Sequence, residues 1–315
     1  MFVEEVGPQG DLPPRVPDDW FVGFHRGLAA RFWRAAGATM ADADMRLIRE
    51  LLGLAEGSSV LDVPCGDGRL TVRLAACGYV ATGIDLAAGE LEHARRAAAD
   101  AGVDARFVVG DLRALPDVGL VDGVLSWGNS FGYLVPADTA RSLTAMHRAL
   151  RPGGRLVLES HTVAESLLVG GISPQAEYTF GGVRMTATNR YRAAESRMES
   201  DYVFEDEDGV IEHACGAHHV HTTGEVVRLL QGAGFRDVVL LDRDVRAPTS
   251  WARGGSSRSP RRRSDATAGG TPPAVADRAR GTRPCSRQAR HTVSPSAFVV
   301  RVTPSRAAAS PLRRQ

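Results

Sequence analysis

The segment VLDVPCGDGRL, Val60 to Leu70, sets two glycines and two carboxylates directly after an apolar run. Gly66 and Gly68 allow the tight turn and close backbone approach needed by a nucleotide-like ligand lying across the carboxyl ends of parallel strands. Asp85 closes the next apolar run, where a carboxylate accepts both hydroxyls of a ribose. A pyrophosphate fingerprint requires glycine at position 71, and Thr71 stands there instead. Asp62 would repel a pyrophosphate but suits a cation. The pattern favours an adenosine that carries positive charge.

Histidines supply the other chemistry. His161 follows an apolar run ending at Glu159, which puts it at the mouth as a candidate general base. Glu159 and Tyr133 are further candidate acceptor contacts. His219 and His221 share one face of a strand and His218 takes the other, but no carboxylate or cysteine completes a metal set. They read as structural or substrate-lining, and no metal is expected. Cys65, Cys77, Cys215 and Cys285 form no C-x-x-C pair, so neither a zinc site nor a disulfide framework is indicated, in keeping with a reducing cytoplasm.

The elements that must position these residues alternate. Trp20 to Ala36 places Phe21, Phe24, Leu28, Phe32 and Trp33 at helical spacing, a face that either packs on the core or lies over a ligand as a lid. A helix over Met45–Leu54 precedes a strand at Ser59–Val63 and a helix at Arg69–Ala76. Strands follow at Tyr79–Asp85, Ala105–Val109, Val121–Trp127 and Gly154–Glu159, with helices at Gly89–Ala101 and Ala137–Leu150. This rhythm predicts an α/β fold with a doubly wound, mostly parallel sheet. From 176 to 222 the pattern turns to alternating segments, an antiparallel β insertion with turns at Gly182 and Asp208-Gly209. Thr223–Gln231 and Phe235–Leu241 then resume the helix–strand order.

In sequence order, VLDVPCGDGRL, TGIDLA, GDLRALP, VDGVLSWGNSFGYL and ALRPGGRLVLES resemble the class I, Rossmann-like S-adenosylmethionine-dependent methyltransferases over roughly Trp20 to Asp242. Pro64 departs from the glycine common in that family. A subgroup with P-C-G-x-G-R and a later S-F-G-Y, matched by Pro64–Arg69 and Ser130–Tyr133, is the nearer resemblance. The resemblance implies that Asp62, Gly66 and Gly68 surround the methionyl part of S-adenosyl-L-methionine, with Pro64 and Cys65 in the same loop. It further implies that Asp85 and Leu86 hold the ribose side, that Asp111 and the Leu112 amide meet the adenine, and that Ser126 and Trp127 flank the methyl donor. Two plainer readings stay open: Asp111 caps its own turn, and Asp62 pairs with Arg69. The expected reaction is methyl transfer to a small-molecule acceptor through O, N or C, mainly by in-line positioning. The alternatives are an NAD-dependent oxidoreductase, or a cofactor-binding relative inactivated by a disrupted C-terminus.

At 315 residues and 43% hydrophobic, the chain can bury one large core. All 38 basic residues counted as Lys or Arg are Arg, and fifteen of them fall in residues 246–315 against two acids, which leaves the preceding body acidic. An acidic body argues against binding a phosphate backbone. No run of 18 apolar residues occurs and no export signal is read, so no membrane partner is expected, and the chain is taken as a monomer or homodimer.

The expected domains are a flexible start over 1–19, a methyltransferase domain over 20–245 with its cofactor core at 45–160, and an Arg-rich tail over 246–315. A fold of this kind closes with an antiparallel strand, and after Arg246 the pattern for one disappears. Three readings compete: a disordered basic extension, a late closing strand at Ala297–Val302, or a one-base deletion near Pro248. The third is favoured, because Thr249-Ser250-Trp251 read one base earlier can give Tyr-Glu-Leu. It predicts a missing closing strand and poor solubility.

Overall fold

The computed structural model describes residues 14–167, 172–242 and 298–304. Seven strands form one sheet in the order β10-β11-β5-β4-β1-β2-β3. These are β1 (Ser59–Asp62), β2 (Val80–Asp85), β3 (Ala105–Val109), β4 (Val121–Ser126), β5 (Leu150–Ser160), β10 (Phe235–Asp242) and β11 (Phe298–Pro304). The pairs among β1 to β5 are parallel, and only β11 runs antiparallel to both of its neighbours.

Strands covered on both faces read as unbroken apolar runs, and here adjacent residues go to opposite cores. Leu61, Val124, Leu156, Leu158, Val300 and Val302 pack with Leu143 and Met146 of α4 (Pro136–Ala149) and with Val226 and Leu230 of α6 (Thr223–Gly232). Val60, Leu125, Val157 and Val299 pack on the other side, with Met45, Ile48 and Leu52 of α1 (Gly27–Leu52) and with Leu70 and Leu74 of α2 (Arg69–Ala76). The helix α3 (Ala88–Asp100) lays Leu91 and Ala94 against Cys65 and Phe107.

A second, antiparallel sheet holds β6 (Gln175–Phe180), β7 (Val183–Arg192), β8 (Arg197–Asp206) and β9 (Ile211–His219). The β6–β7 turn uses Gly181 and Gly182 at φ 58° and 71°, values suited to a tight hairpin and costly for other residues. The expected insertion is therefore present, with its turns where the glycines put them.

Several boundaries differ from those the sequence suggests. Trp20–Ala36 is a 3-10 turn, Trp20–Gly23, followed by a break and then the 26-residue α1, which also absorbs the helix expected over Met45–Leu54. Gly27 has φ 52°, and the Glu212 carboxylate of β9 accepts the Leu28 N–H at 2.8 Å, so the helix starts where this cap stands. Alanine-rich residues then carry the helix onward without an apolar stripe of their own. Phe24, Leu28 and Phe32 pack on Val183, Met185, Tyr202 and Phe204, so α1 joins the two sheets.

The slot between β5 and β10 is filled. β11 pairs Val299 with Glu159 and with Leu241, and Val299, Val300 and Val302 are fully buried. The late-strand reading holds, and the missing strand that the deletion reading predicted is corrected. Three valines at the right spacing suffice once two partner strands wait on either side. Residues 1–13, 168–171, 243–297 and 305–315, including most of the Arg-rich tail, lie outside the described residues. Residues 14–19, expected as part of a flexible start, dock on the antiparallel sheet. Val16 is buried, its N–H donates to Glu199 Oε1 at 3.0 Å, and its carbonyl accepts from the buried Arg197 guanidinium at 2.6 Å.

Candidate active site

The parallel order reverses between β1 and β4, and ligands of open α/β sheets bind outside the carboxyl ends of the strands at such a point. The loop after β1 brings Gly66 and Gly68 there, both with left-handed backbone at φ 54° and 73°. A Cβ on Gly68 would lie 2.6 Å from Ala94 Cβ and 2.9 Å from Phe107, so only glycine lets α3 and β3 close on the turn. Among the described residues nothing stands within 4 Å of the position a Gly66 Cβ would take, which leaves open space above that turn.

Asp85 is tied into this loop. Its Oδ2 accepts the Gly66 N–H at 2.8 Å and its Oδ1 accepts the Ala87 N–H at 2.8 Å. Each carboxylate oxygen has two lone pairs, so each keeps one for a ribose hydroxyl. Leu86 lies between these anchors and is half-buried.

Asp62 is 2% exposed and accepts the Thr71 hydroxyl at 2.7 Å. Burial pushes its carboxyl up to about 7, against the pull of that hydrogen bond and of the Arg69 charge. Arg69 itself reaches Asp44 at 3.8 Å, so the residue bonded to Asp62 is Thr71 rather than the Arg69 considered from sequence. Thr71 thus occupies the third-glycine position because it serves the carboxylate. Asp67, Asp85 and Glu90 lie close enough to act on one another's charge, and Arg34 of α1 offsets them through a 2.7 Å bond to Glu90. An acidic lining of this kind fits a cationic ligand.

The side chains of the other expected residues are taken up by packing or by local hydrogen bonds. The Cys65 side chain joins the Leu91, Ala94 and Phe107 cluster, where burial pushes its thiol well up, and Pro64 beside it is half-buried. The Trp127 indole goes into the core against α1 and α2. Ser126 is buried and lines a small cavity together with Leu112. Asp111 caps its own turn, accepting Arg113 N–H at 2.8 Å and the Arg113 guanidinium at 2.9 Å, which holds its carboxyl below the ordinary range. The capping alternative describes this carboxylate, and Leu112 next to it is half-buried.

Past the end of β5, His161 Nε2 lies 2.5 Å from Glu159 Oε1. Glu159 is buried, and its Oε2 accepts the Gly128 N–H at 2.9 Å. Trp20 from the 3-10 turn, Tyr133 after β4 and His218 of β9 form a mutual ring cluster with centroids 4.7 to 5.8 Å apart, and Phe21 stacks on Tyr133. Arg113 stands over Phe21 at 5.6 Å. Trp20 and Phe21 therefore lie against the loops that follow β3 and β4, as a lid would, while Phe24 packs into the insertion. His218 is neutral here, since burial pushes its imidazole down to about 4. His221 turns the other way, with Nδ1 3.2 Å from Glu225, and His219 is buried near Arg197.

Sequence reasoning passed over three residues at this site: Thr71 as the partner of Asp62, Asn129 beside the end of β5, and His25. His25 carries electrostatic coupling to Asp85 and Asp67, and its imidazole is pushed down by burial. Only its place one residue beyond the Phe24 face hinted at it.

With this geometry in place, three comparisons agree. A family model described as a methyltransferase domain matches residues 60–154. The 27-O-demethylrifamycin SV methyltransferase of Amycolatopsis mediterranei is 32% identical over 180 residues, 55% of this chain and 63% of that protein. The malonyl-[acyl-carrier protein] O-methyltransferase of Pseudescherichia vulneris is 30% identical over 184 residues, 56% of this chain and 67% of that protein. A solved S-adenosylmethionine-dependent methyltransferase from Clostridium acetobutylicum shares the fold, with TM-score 0.60 at 14% identity, covering 84% of this chain and 89% of its own. The chain belongs to the S-adenosylmethionine-dependent methyltransferases. It spans from about half to two thirds of the length of the first curated relatives it matches. These relatives are methyl-transfer proteins, which removes the support for the nicotinamide alternative, and the filled closing slot removes the motive for the inactive one.

Proposed function

We propose that this protein transfers a methyl group from S-adenosylmethionine to a small-molecule nucleophile, with His161 as general base. The observation that carries the reading is the loop after β1, where Gly66 and Asp85 present an open turn and two remaining carboxylate lone pairs among acidic neighbours. The donor, when bound, supplies a methyl group already activated on a sulfonium. The chain has then to align donor and acceptor and keep water out, which by itself supplies a large share of the acceleration. Gly66, Gly68 and Asp85 hold the donor, Leu112 borders the adenine, and Asp62 sits beneath the cationic end. The lid of Trp20 and Phe21 excludes water from above.

An acceptor hydroxyl or ammonium must lose a proton as it attacks. His161 donates its Nε2–H to the Glu159 carboxylate, which leaves the Nδ1 lone pair to take the acceptor's proton. Rifamycin and acyl-carrier acceptors are named for the relatives, and a small-molecule nucleophile reacting through O, N or C is the expectation here. The acidic body disfavours nucleic acid, and no helix among the described residues is long and apolar enough to cross a membrane. Free thiols at Cys65, Cys77 and Cys215 suit the cytoplasm as the working compartment.

The test is a labelled-methyl assay against fractionated small molecules of the producing cell. A labelled product is expected from the wild type, reduced about 100-fold by His161→Ala at neutral pH. No product from any fraction would overturn the activity, and full activity of the variant would overturn the role of His161.

A further inference from the structure

The loop after β4 does more than border the donor site. Asn129 is left-handed, φ 71°, and follows Gly128 at φ 90°. Its Oδ1 is approached by four donors from the end of β5 and the residues beyond it: Ser160 Oγ at 3.1 Å, His161 N at 2.9 Å, Thr162 N at 3.1 Å and Thr162 Oγ1 at 2.8 Å. The preceding residue, Gly128, donates its N–H to Glu159 Oε2. Two consecutive residues thus grip the stretch 159–162, including both members of the Glu159–His161 pair. Glu159, Ser160 and Thr162 are buried, so their polar groups need protein partners, and this convergence fixes both the backbone and the carboxylate of the pair.

We propose that Asn129 is a positioning residue that sets the Glu159–His161 pair in register with the donor loop. The proposal rests on the reading of His161 as acceptor base. Ser126 ends β4 and Trp127 follows it immediately before Gly128, so one short loop spans from the donor side to the base. An angular error in His161 would misplace the base while leaving the donor pocket unchanged.

Asn129→Gly removes the side chain at no backbone cost, because glycine accepts φ 71°. Asn129→Asp keeps an acceptor and tolerates the same backbone. The readout is the ring N–H of His161 in nitrogen-15 histidine spectra, assigned by its loss in His161→Gln, with S-adenosylhomocysteine affinity measured in parallel. The wild type should show a slowly exchanging, downfield ring proton held by Glu159. Asn129→Gly should lose it while binding S-adenosylhomocysteine within twofold of the wild type, and Asn129→Asp should retain it. An unchanged ring signal in Asn129→Gly overturns the proposal, as does a fall in ligand affinity that parallels the loss of the signal. If the signal behaves as expected but His161→Gln methylates at the full rate, the positioning stands and the base assignment fails.

Discussion

Asp62 and Thr71 are bonded to each other beneath the proposed donor pocket, and burial has a measurable consequence there. The Asp62 carboxyl titrates at about 7 in the folded chain, against about 4 when unfolded. The folded state therefore binds a proton that the unfolded state has lost. This contribution to stability is greatest below pH 4, declines as pH rises to about 7 and is flat above. A cation placed over the carboxyl draws it back to the charged form. Binding of S-adenosylmethionine at pH 7 should then release protons, and affinity should rise between pH 6 and pH 8. Calorimetry in buffers of different ionisation enthalpy reads the release directly. Asp62→Asn should reduce both effects, and proton release of equal size in that variant would refute the assignment.

At the scale of elements, β11 is the piece on which the sheet depends. It covers the edges of β5 and β10 and buries three valines completely, each contributing about 1.5 to 3 kcal/mol. Their sum is comparable to the whole stability of a typical domain, about 5 to 15 kcal/mol. A chain ending at residue 297 should therefore aggregate or melt without a cooperative transition, as read by size exclusion and thermal unfolding. A soluble product with the melting temperature of the full chain would contradict this.

The same element shows what the sequence could and could not reveal. β3 and α2 have the bounds their patterns predict, because a continuous apolar run or a full amphipathic turn is a local property. β11 is a strand because two partners leave a slot, and a seven-residue segment cannot announce partners so remote in the chain. Helix α1 likewise takes its start from Glu212, which lies on another sheet. Within the site, Gly66, Gly68 and Asp85 were legible since spacing alone brings them together. Asn129, His25 and the Thr71 hydroxyl were not, because their roles arise only when the ends of separate strands meet.

Taken whole, the molecule divides its work between two sheets joined by α1. In the proposed reading, the parallel sheet presents the donor loop at its switch point and His161 just past β5, and the antiparallel sheet with the 3-10 turn supplies the cover. On that reading acceptor specificity is expected from the second sheet and the turn, while the donor site should work whatever the acceptor is. S-adenosylhomocysteine binding can accordingly be measured without knowing the substrate. Calorimetry on the full chain should show micromolar affinity, weakened at least tenfold, about 1.4 kcal/mol, by Asp85→Ala. Asp85→Asn, which keeps an acceptor oxygen for only one of the two loop amides, should fall between the two. Equal affinity in all three proteins would contradict the donor site described here.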